Sequence, residues 1–536
     1  MPVPSAEIPA TPTFHARRAM VTTTDHLATG AGVAALRAGG SAADAAVAAA
    51  AVLAVTSPEK CGLGGDLFAL VHRDGEERPA ALNASGRAGS GADAQRMRAE
   101  GHRSMPMRGD IRTVTVPGCV DGWLALHGRF GRLPLAEVFG PAVELAEAGF
   151  PMSATLARAM GELDETGDLR HAPAALREAP RRAGTLLRRP GHAQTLRAIA
   201  AHGRDAFYGG TFGEGLLALG AGLFSPADLA RGQADWVEPL GVTVWGARLW
   251  SVPPNSQGYL TLLGAAVAAR LPLPADPDEA AWAHLLVEAA VAAGHDRPSV
   301  LHEHADVGPL LADAEVARRA GLVDAHRRAP IGLRAAAGDT TQLCVIDGDR
   351  LGVSLIQSNA ANFGSTVFEP STGIELHNRG VGFSLRPGDP AEWGPGRRPP
   401  HTLSPALLTR PGGGLRAVLG SAGGDAQPHV TLQLLARLLH AGQTPGEAVG
   451  APRFRLGAPT GTGFDTWEHP QGTTVLLERG APAGWTGGLT ARGHAVRVLP
   501  VAEAYAGHAH LLEVGADGVL AGATEPRAGN GAVGGL

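Results

Sequence analysis

The chain has 536 residues, 44% of them hydrophobic and 18% charged, which is typical of a globular protein with a large core. Its net charge of -5 argues against nucleic acid or an anionic membrane as partner, because both attract a basic excess. We therefore expect a small-molecule substrate. Three cysteines without metal-ligand spacing and an N-terminus without an apolar signal-peptide core favour a cytoplasmic location and no metal site.

The predicted elements of the first half of the chain alternate between strands and buried helices. Residues 1–20 are predicted to be a flexible tail. Ser41 and Asp44 resemble a capping box that opens an Ala-rich helix, which is apolar nearly all round and should be buried. The other predicted elements are a helix over 27–37, a strand over 67–72, a helix over 135–148, a peripheral helical region over 150–235, a strand over 242–252, and helices over 259–269 and 279–294.

Thr340 stands at the start of a predicted β-hairpin. Residues 341–346 and 351–357 are apolar runs joined by Asp347-Gly348-Asp349, and an Asp-Gly turn between such runs is a strong hairpin signal. Antiparallel pairing of the two strands brings Ser358 beside Thr340. The residues before Thr340, from 322 to 337, have no firm pattern of a helix or a strand. A site of backbone cleavage requires such a mobile connection, because a bond locked in a helix or a central strand would be inaccessible.

A threonine released by cleavage of the Asp339–Thr340 bond has the parts of a nucleophile. A threonine hydroxyl is weak at neutral pH and needs a base close by. The new α-amino group, with an unperturbed pKa of roughly 7.7 to 8.0, supplies that base without a histidine. No metal or organic cofactor is needed for this chemistry, and we expect none.

Several stretches in this order resemble the γ-glutamyltranspeptidase family of N-terminal-nucleophile hydrolases. They are residues 61–68, 116–123, 340–341 with the hairpin, 373–384, 399–405 and 420–424. The resemblance covers nearly the whole chain and implies an α+β fold, a four-layer αββα sandwich. It also implies one precursor that cuts itself into a large fragment, 21–339, and a small fragment, 340–536, which stay associated. A homo-oligomer of the processed pair stays open.

The resemblance assigns roles around the nucleophile. Gly423 and Gly424 match the family's oxyanion residues, and consecutive glycines leave backbone N–H groups free to receive a developing negative charge. Ser358 aligns with the hydroxyl residue beside the nucleophile, in agreement with the hairpin register. Thr340, Ser358, Gly423 and Gly424 are therefore the predicted catalytic residues.

The predicted substrate pocket departs from family members that act on γ-glutamyl donors. At the three places that hold the donor's α-amino and α-carboxylate groups, this chain has Ala360, Arg379 and Gly382. An ammonium group would lose its acceptors and meet a guanidinium, which disfavours it strongly. The family's carboxylate-binding arginine is displaced to Arg87, with Ser85 in its aligned place.

We therefore predict a pocket for a carboxylate without an ammonium group. Arg87 and Arg379 can each grip a carboxylate through two N–H donors, although a structural salt bridge is the competing explanation for both. Asn378, His401 and Thr402 complete the predicted substrate-binding set; His401 and Thr402 replace a pair of serines in other members. These patterns resemble the branch that includes oxamate amidohydrolases.

The predicted function is a self-processing threonine hydrolase that cleaves an amide in a small carboxylate-bearing substrate through an acyl-enzyme. Transfer to an amine acceptor stays open. One alternative is a carbon–carbon bond hydrolase of an actinobacterial natural-product pathway, built on the same scaffold. A second alternative is an uncut, inactive homologue that only binds its ligand.

Overall fold

The computed structural model describes residues 11–329, 339–457, 474–499 and 507–536; Gly338, at the predicted cleavage segment, lies outside them. The strands are β1 (Phe14–Ala16), β2 (Met20–Thr23), β3 (Asp66–His72), β4 (Ala80–Ala84), β5 (Phe150–Pro151), β6 (Leu186–Leu187), β7 (Asp235–Val237), β8 (Leu240–Val244), β9 (Ala247–Ser251), β10 (Asp339–Ile346), β11 (Gly352–Ala360), β12 (Val367–Phe368), β13 (Glu375–Leu376), β14 (Ala406–Thr409), β15 (Leu415–Ser421), β16 (Phe454–Gly457), β17 (Thr474–Leu477), β18 (Ala495–Val498), β19 (Ala509–Val514), β20 (Leu520–Thr524) and β21 (Ala532–Gly535).

The α-helices are α1 (His26–Arg37), α2 (Ala42–Thr56), α3 (Ala94–Ala99), α4 (Cys119–Phe130), α5 (Leu135–Ala148), α6 (Ala154–Thr166), α7 (Ala174–Arg177), α8 (Pro190–His202), α9 (Asp205–Tyr208), α10 (Thr211–Leu219), α11 (Pro226–Ala230), α12 (Gly258–Ala268), α13 (Ala280–Gly294), α14 (Arg297–Val300), α15 (Asp313–Ala320), α16 (Gln427–Leu435), α17 (Pro445–Gly450) and α18 (Ala483–Ala491). Among the described residues, no helix combines the length and the apolar character needed to cross a bilayer.

Two antiparallel sheets form the centre of the described part of the chain. The first has the strand order β21-β2-β10-β11-β3-β4-β7, and the second has the order β1-β20-β19-β15-β14-β9-β8. Successive side chains of a strand point to opposite faces. Accordingly, Leu343 and Val345 of β10 pack in one core cluster with α2 and its neighbours, whereas Cys344 and Ile346 pack between the sheets.

Three apolar clusters define the layers of the fold. One apolar cluster lies between the sheets, a second joins the first sheet to helices that include α2 and α4, and a third joins the second sheet to α12, α13 and α16. Helices therefore cover the outer face of each sheet. This arrangement confirms the predicted α+β class and the four-layer αββα sandwich.

Two predictions of local structure are wrong. In the segment predicted as a flexible tail, residues 14–16 form β1, because their backbone pairs with β20 at the edge of the second sheet. The single strand predicted over 242–252 is a hairpin of β8 and β9, because the chain reverses at Trp245 and Gly246, which both have positive φ. Both differences come from pairing partners distant in the sequence or from turn geometry.

The β10–β11 hairpin is fastened to helix α2. The side chain of Ser41 accepts hydrogen bonds from the first turn of this helix and Asp44 returns the bond, as the capping box predicts. The Asp347 carboxylate, in the hairpin turn, accepts a 2.8 Å bond from Ala42 N at the start of the same helix. Its other oxygen accepts bonds from the N–H groups of Asp349 and Leu351, each at 3.0 Å.

Replacing Asp347 with alanine should destabilise the protein. The change leaves the buried Ala42 N–H and the turn amides without their acceptor, which costs on the order of 1–3 kcal/mol. Asp349→Ala is the matched control, since this side chain lies in the same turn, is exposed, and pairs only with Arg132 at the surface among the described residues. It should cost less than about 1 kcal/mol. Thermal unfolding measures both; equal losses would contradict the role given to Asp347.

Candidate active site

A β-bulge positions the Thr340 side chain. Asp339 pairs with Ala360 and Thr341 pairs with Gln357, so two residues of β11 lie opposite Thr340. Bulges of this kind are common next to active sites, where they redirect a side chain. The Thr340 hydroxyl, in a residue only 2% exposed, donates a 3.1 Å hydrogen bond to Ser358 Oγ. The structure thus brings together the two residues that the hairpin register predicts to be neighbours.

The Ser358 hydroxyl collects further donors around the nucleophile. It accepts a 2.8 Å bond from Ala360 N and a 3.4 Å bond from Arg379 Nη2. The other terminal nitrogen of the guanidinium, Nη1, donates at 3.1 Å to Thr402 Oγ1. Arg379 therefore lies one hydroxyl away from Thr340, and it links the hairpin to the segment that carries Thr402.

The Arg379 guanidinium is a buried cation. Arg379 is the first residue of a short 3-10 turn, Arg379–Gly382, and is only 1% exposed. Burial lowers its pKa to about 10, an effect that the carboxylates of Asp66 and Asp425 partly offset. The side chain thus stays protonated at neutral pH and places a positive charge beside the predicted nucleophile.

Asp66 and His401 form a buried pair behind this cation. Leu403 N donates to His401 Nδ1 at 3.2 Å, so the ring proton is on Nε2, which donates to Asp66 Oδ2 at 3.0 Å. Burial, reinforced by Arg379, lowers the pKa of His401 to about 3. Burial by itself would raise the pKa of Asp66, but His377 and His401 bring that pKa well below its ordinary value.

The two predicted oxyanion glycines follow strand β15. Gly423 and Gly424 have φ angles of 119° and 56°, in the left-handed region that favours glycine. They lead through the turn Gly424–Ala426 into helix α16, whose N-terminus favours negative charge. Ser354 Oγ bonds Leu419 O, and Gly420 packs against the Gln342 amide. Leu419 thus lies near Ser354 and Gly420 lies near Gln342, two residues from Thr340. Strand β15 therefore approaches Thr340 toward the end that leads to the glycines.

Gln257 joins the glycine turn to the Arg379 site. Its Nε2 donates to Gly424 O at 3.0 Å and to Thr402 O at 2.8 Å. Because Thr402 Oγ1 accepts from Arg379, hydrogen bonds run from the glycine turn to the hydroxyl of Ser358. The predicted nucleophile, cation and oxyanion turn therefore belong to one connected polar network.

A buried ion pair also holds the glycine turn. Arg297 donates through Nη2 to Asp425 Oδ1 at 2.7 Å and through Nη1 to Oδ2 at 3.4 Å. Both side chains are about 5% exposed. An ion pair buried on both sides keeps its geometry, because separating the partners would leave an uncompensated charge in the protein interior.

Three predicted substrate-binding residues have protein partners that give them structural roles. Arg87 donates to Glu303 at 2.6 Å and to Asp235 at 3.3 Å, so the salt-bridge explanation fits it better than a carboxylate site shared with Arg379. Asn378 accepts from Ala361 N at 3.0 Å and donates to Met107 O at 2.8 Å. His401 uses both ring nitrogens within the protein, as described above.

Sequence reasoning missed four residues of this network, namely Asp66, Gln257, Arg297 and Asp425. Asp66 lies in the stretch 61–68, which contributes to the family resemblance without assigning this residue a role, and Gln257 lies just before α12, where the sequence gives no prediction of function. Their partners are far away along the chain, so no spacing could reveal them. The neighbouring glycines are the only local signal for Asp425.

Comparison with known proteins shows the family of this chain. The family profile described as gamma-glutamyltranspeptidase matches residues 28–535. Oxamate amidohydrolase proenzyme of Klebsiella pneumoniae is 37% identical over 530 residues, covering 95% of this chain and 97% of that protein. Glutathione hydrolase-like YwrD proenzyme of Bacillus subtilis is 33% identical and covers 96% and 98%. The crystal structure of cephalosporin acylase from Bacillus halodurans has a TM-score of 0.89 at 32% identity, covering 100% and 98%.

An αββα sandwich with a threonine hydroxyl at the start of a central strand defines an N-terminal-nucleophile hydrolase. The chain belongs to the γ-glutamyltranspeptidase family. The predicted family, fold and enzyme class are thereby confirmed, and the alternative of an inactive binding homologue is not supported. The enzyme is made as a proenzyme that is processed into two fragments and acts on small molecules.

The buried His401 should make the protein sensitive to acid. The unfolded chain binds a proton at this ring below about pH 6.5, whereas the folded chain does not until about pH 3. The free energy of unfolding should therefore fall by about 1.4 kcal/mol per pH unit on acidification through this window. His401→Gln should reduce that slope by up to about 1.4 kcal/mol per pH unit, the contribution of one proton. His26→Gln, which changes an exposed side chain, should leave the slope unchanged. Denaturant unfolding between pH 4 and 7 measures the slope. Equal slopes in wild type and His401→Gln would refute the neutral state that we assign to the His401 ring in the folded protein.

Proposed function

We propose that the proenzyme is cut between Asp339 and Thr340, and that Thr340 then hydrolyses an amide in a small substrate whose carboxylate lies next to the scissile carbonyl. The observation that carries this proposal is the buried Arg379 guanidinium, which donates to the hydroxyl partner of Thr340. A carboxylate that meets this guanidinium would lie close to the nucleophile. Half-amides of short dicarboxylic acids have this chemistry.

The surroundings of Arg379 support a substrate without an α-amino group. Ala360 and Gly382, at two aligned donor-binding positions, have no charged side chain. The two carboxylates that act on the guanidinium are engaged elsewhere, Asp66 by His401 and Asp425 by Arg297. An ammonium group would thus face a like charge in a dry site, which is unfavourable. The Klebsiella relative is named for oxamate, a carboxylate attached directly to an amide.

The proposed reaction uses the chain's own groups. The Thr340 oxygen attacks the amide carbonyl carbon while its proton passes to the free α-amino group. The N–H groups of Gly423 and Gly424 receive the negative charge on the carbonyl oxygen. The C–N bond then breaks, and the leaving amine takes the proton from the α-ammonium group. Water attacks the resulting ester, with the α-amino group again as base, and releases the acid and Thr340.

Thr340→Ala should abolish processing. Cleavage of the preceding bond requires the Thr340 oxygen to attack the Asp339 carbonyl, so without the hydroxyl the chain should stay at full length. Thr341→Ala is the matched control, because its hydroxyl bonds Gln357 O, at 3.3 Å, and the Cys61 thiol. Denaturing electrophoresis and N-terminal sequencing measure the result. A small fragment that begins elsewhere than Thr340, or a cut Thr340→Ala chain, would refute the cleavage site.

Arg379→Ala should remove the preference for acidic substrates. We compare kcat/KM for a half-amide with kcat/KM for its uncharged ester, so that general damage to the site cancels in the ratio. The ratio should fall by about 10²-fold in Arg379→Ala, the order expected for hydrogen bonds to a charged group. Arg87→Ala is the control and should keep the ratio within about three-fold, because Arg87 pairs with Glu303.

The same assay separates the remaining outcomes. An unchanged ratio in Arg379→Ala would refute carboxylate recognition by this residue. A lowered ratio in Arg87→Ala would restore Arg87 to the pocket. Turnover of β-dicarbonyl compounds in place of amides would favour the carbon–carbon alternative.

A further inference from the structure

A second cluster of chemically active side chains lies away from Thr340. His284 and Glu288 are one turn apart on helix α13, and His494 immediately precedes strand β18. All three residues are buried. Each offers one potential ligand atom, and these three atoms lie within 4.8 Å of one another. The reaction proposed above uses none of them.

The distances within this cluster are close to those of a metal site. His284 Nδ1 and His494 Nε2 are 2.8 Å apart, and His494 Nε2 lies 3.8 Å from Glu288 Oε1. Ligands at about 2.0–2.1 Å from a tetrahedral Zn²⁺ are separated by roughly 3.3 Å. The two rings need to separate by only about half an ångström, a displacement that ring rotation supplies.

Groups outside the cluster hold two of its members in ligand orientation. His284 Nε2 donates to Asp324 O at 2.8 Å, so its Nδ1 carries the lone pair and points to the cluster. Glu288 Oε2 accepts from Ala329 N at 2.8 Å, which leaves Oε1 toward His494. In metal sites, a ligating histidine usually donates from its other ring nitrogen to a backbone carbonyl or a carboxylate in this way, which fixes the orientation of the ring.

Burial of the cluster shifts the pKa values of its members. Burial lowers the pKa of His494 to about 4, with His284, Arg328 and Arg492 contributing in the same direction. Burial also raises the pKa of Glu288 to about 7, although Ala329 N and Arg328 oppose the rise. A bound cation would compensate the charge of the buried Glu288 carboxylate.

We propose that His284, Glu288 and His494 bind one divalent transition-metal ion, with Zn²⁺ as the best match to two imidazoles and one carboxylate. Water supplies the fourth ligand. This site is structural. Given the cleavage proposed above, His284 and Glu288 belong to the large fragment and His494 to the small one, so the ion would cross-link the two. The cross-link between the fragments, unlike metal binding itself, depends on the proposed function.

The test measures Zn²⁺ binding to tag-free, chelator-treated protein by calorimetry and by metal analysis after gel filtration. Wild type should bind one Zn²⁺ per chain. Glu288→Gln and His494→Gln should each weaken binding by at least about 10-fold, since each loses one ligand. The control is His295→Gln, just beyond the end of the same helix, where the ring contacts Ala292 O at 3.1 Å. It should bind as wild type does.

Two outcomes would overturn the site: no Zn²⁺ binding by wild type, or binding that neither ligand variant weakens. The latter would leave the His284–His494 hydrogen bond as a packing contact. The cross-link has a separate readout. In the processed protein, a chelator should lower the urea concentration at which the fragments separate, and His494→Gln should show no such shift. If Thr340→Ala and wild type are both uncut and bind Zn²⁺, the metal site stands and the cleavage proposal fails.

Discussion

The site depends on the pairing of β10 with β11 and on the bulge within that pairing. Thr340 lies opposite the bulge of β11. There its hydroxyl contacts Ser358, outside the regular pairing of the two strands. The bond from Asp347 to the start of α2 fixes the opposite end of the same hairpin. Because a slip of one residue would turn every side chain to the other face, this register decides where the hydroxyl points.

The charged side chains described around Thr340 are buried and hydrogen-bonded. Asp66 accepts from His401, Asp425 from Arg297, and Arg379 bonds two hydroxyls and interacts with both carboxylates. Burying such groups is costly unless each has partners, and the connected network supplies them. The benefit is a site in which electrostatic preference is strong because water is excluded. The proposed preference is for an anion, which would separate this chain from family members that bind an ammonium group.

Given the proposed cleavage before Thr340, the large and small fragments share both central sheets. Strand β10 of the small fragment lies between β2 and β11, and β2 belongs to the large fragment. Arg297 of the large fragment holds the turn of the small one that contains Gly424. Cleavage therefore removes one covalent bond from a sandwich whose cores already join both parts. The proposed metal ion would add one more connection between the two fragments.

Local patterns in the sequence determined much of this protein. The Asp-Gly turn between apolar runs gives the hairpin, the capping box starts α2, and paired glycines follow β15. These features depend on residues close together in the chain, so the sequence alone identifies them, and with them Thr340, Ser358 and the family. The prediction of a cation beside the nucleophile also needed only the residue types at aligned positions.

Tertiary structure alone decided which charged residues meet. Arg87 and Arg379 read alike in the sequence, yet one pairs with Glu303 on a distant segment and the other lies against Ser358. Asp66, Gln257, Arg297 and Asp425 acquire roles only through partners that the sheets bring together. The cluster of His284, Glu288 and His494 likewise joins a helix to a loop far along the chain. Such contacts depend on how layers stack, which no local periodicity encodes, and here that stacking separates a salt bridge from the proposed substrate site.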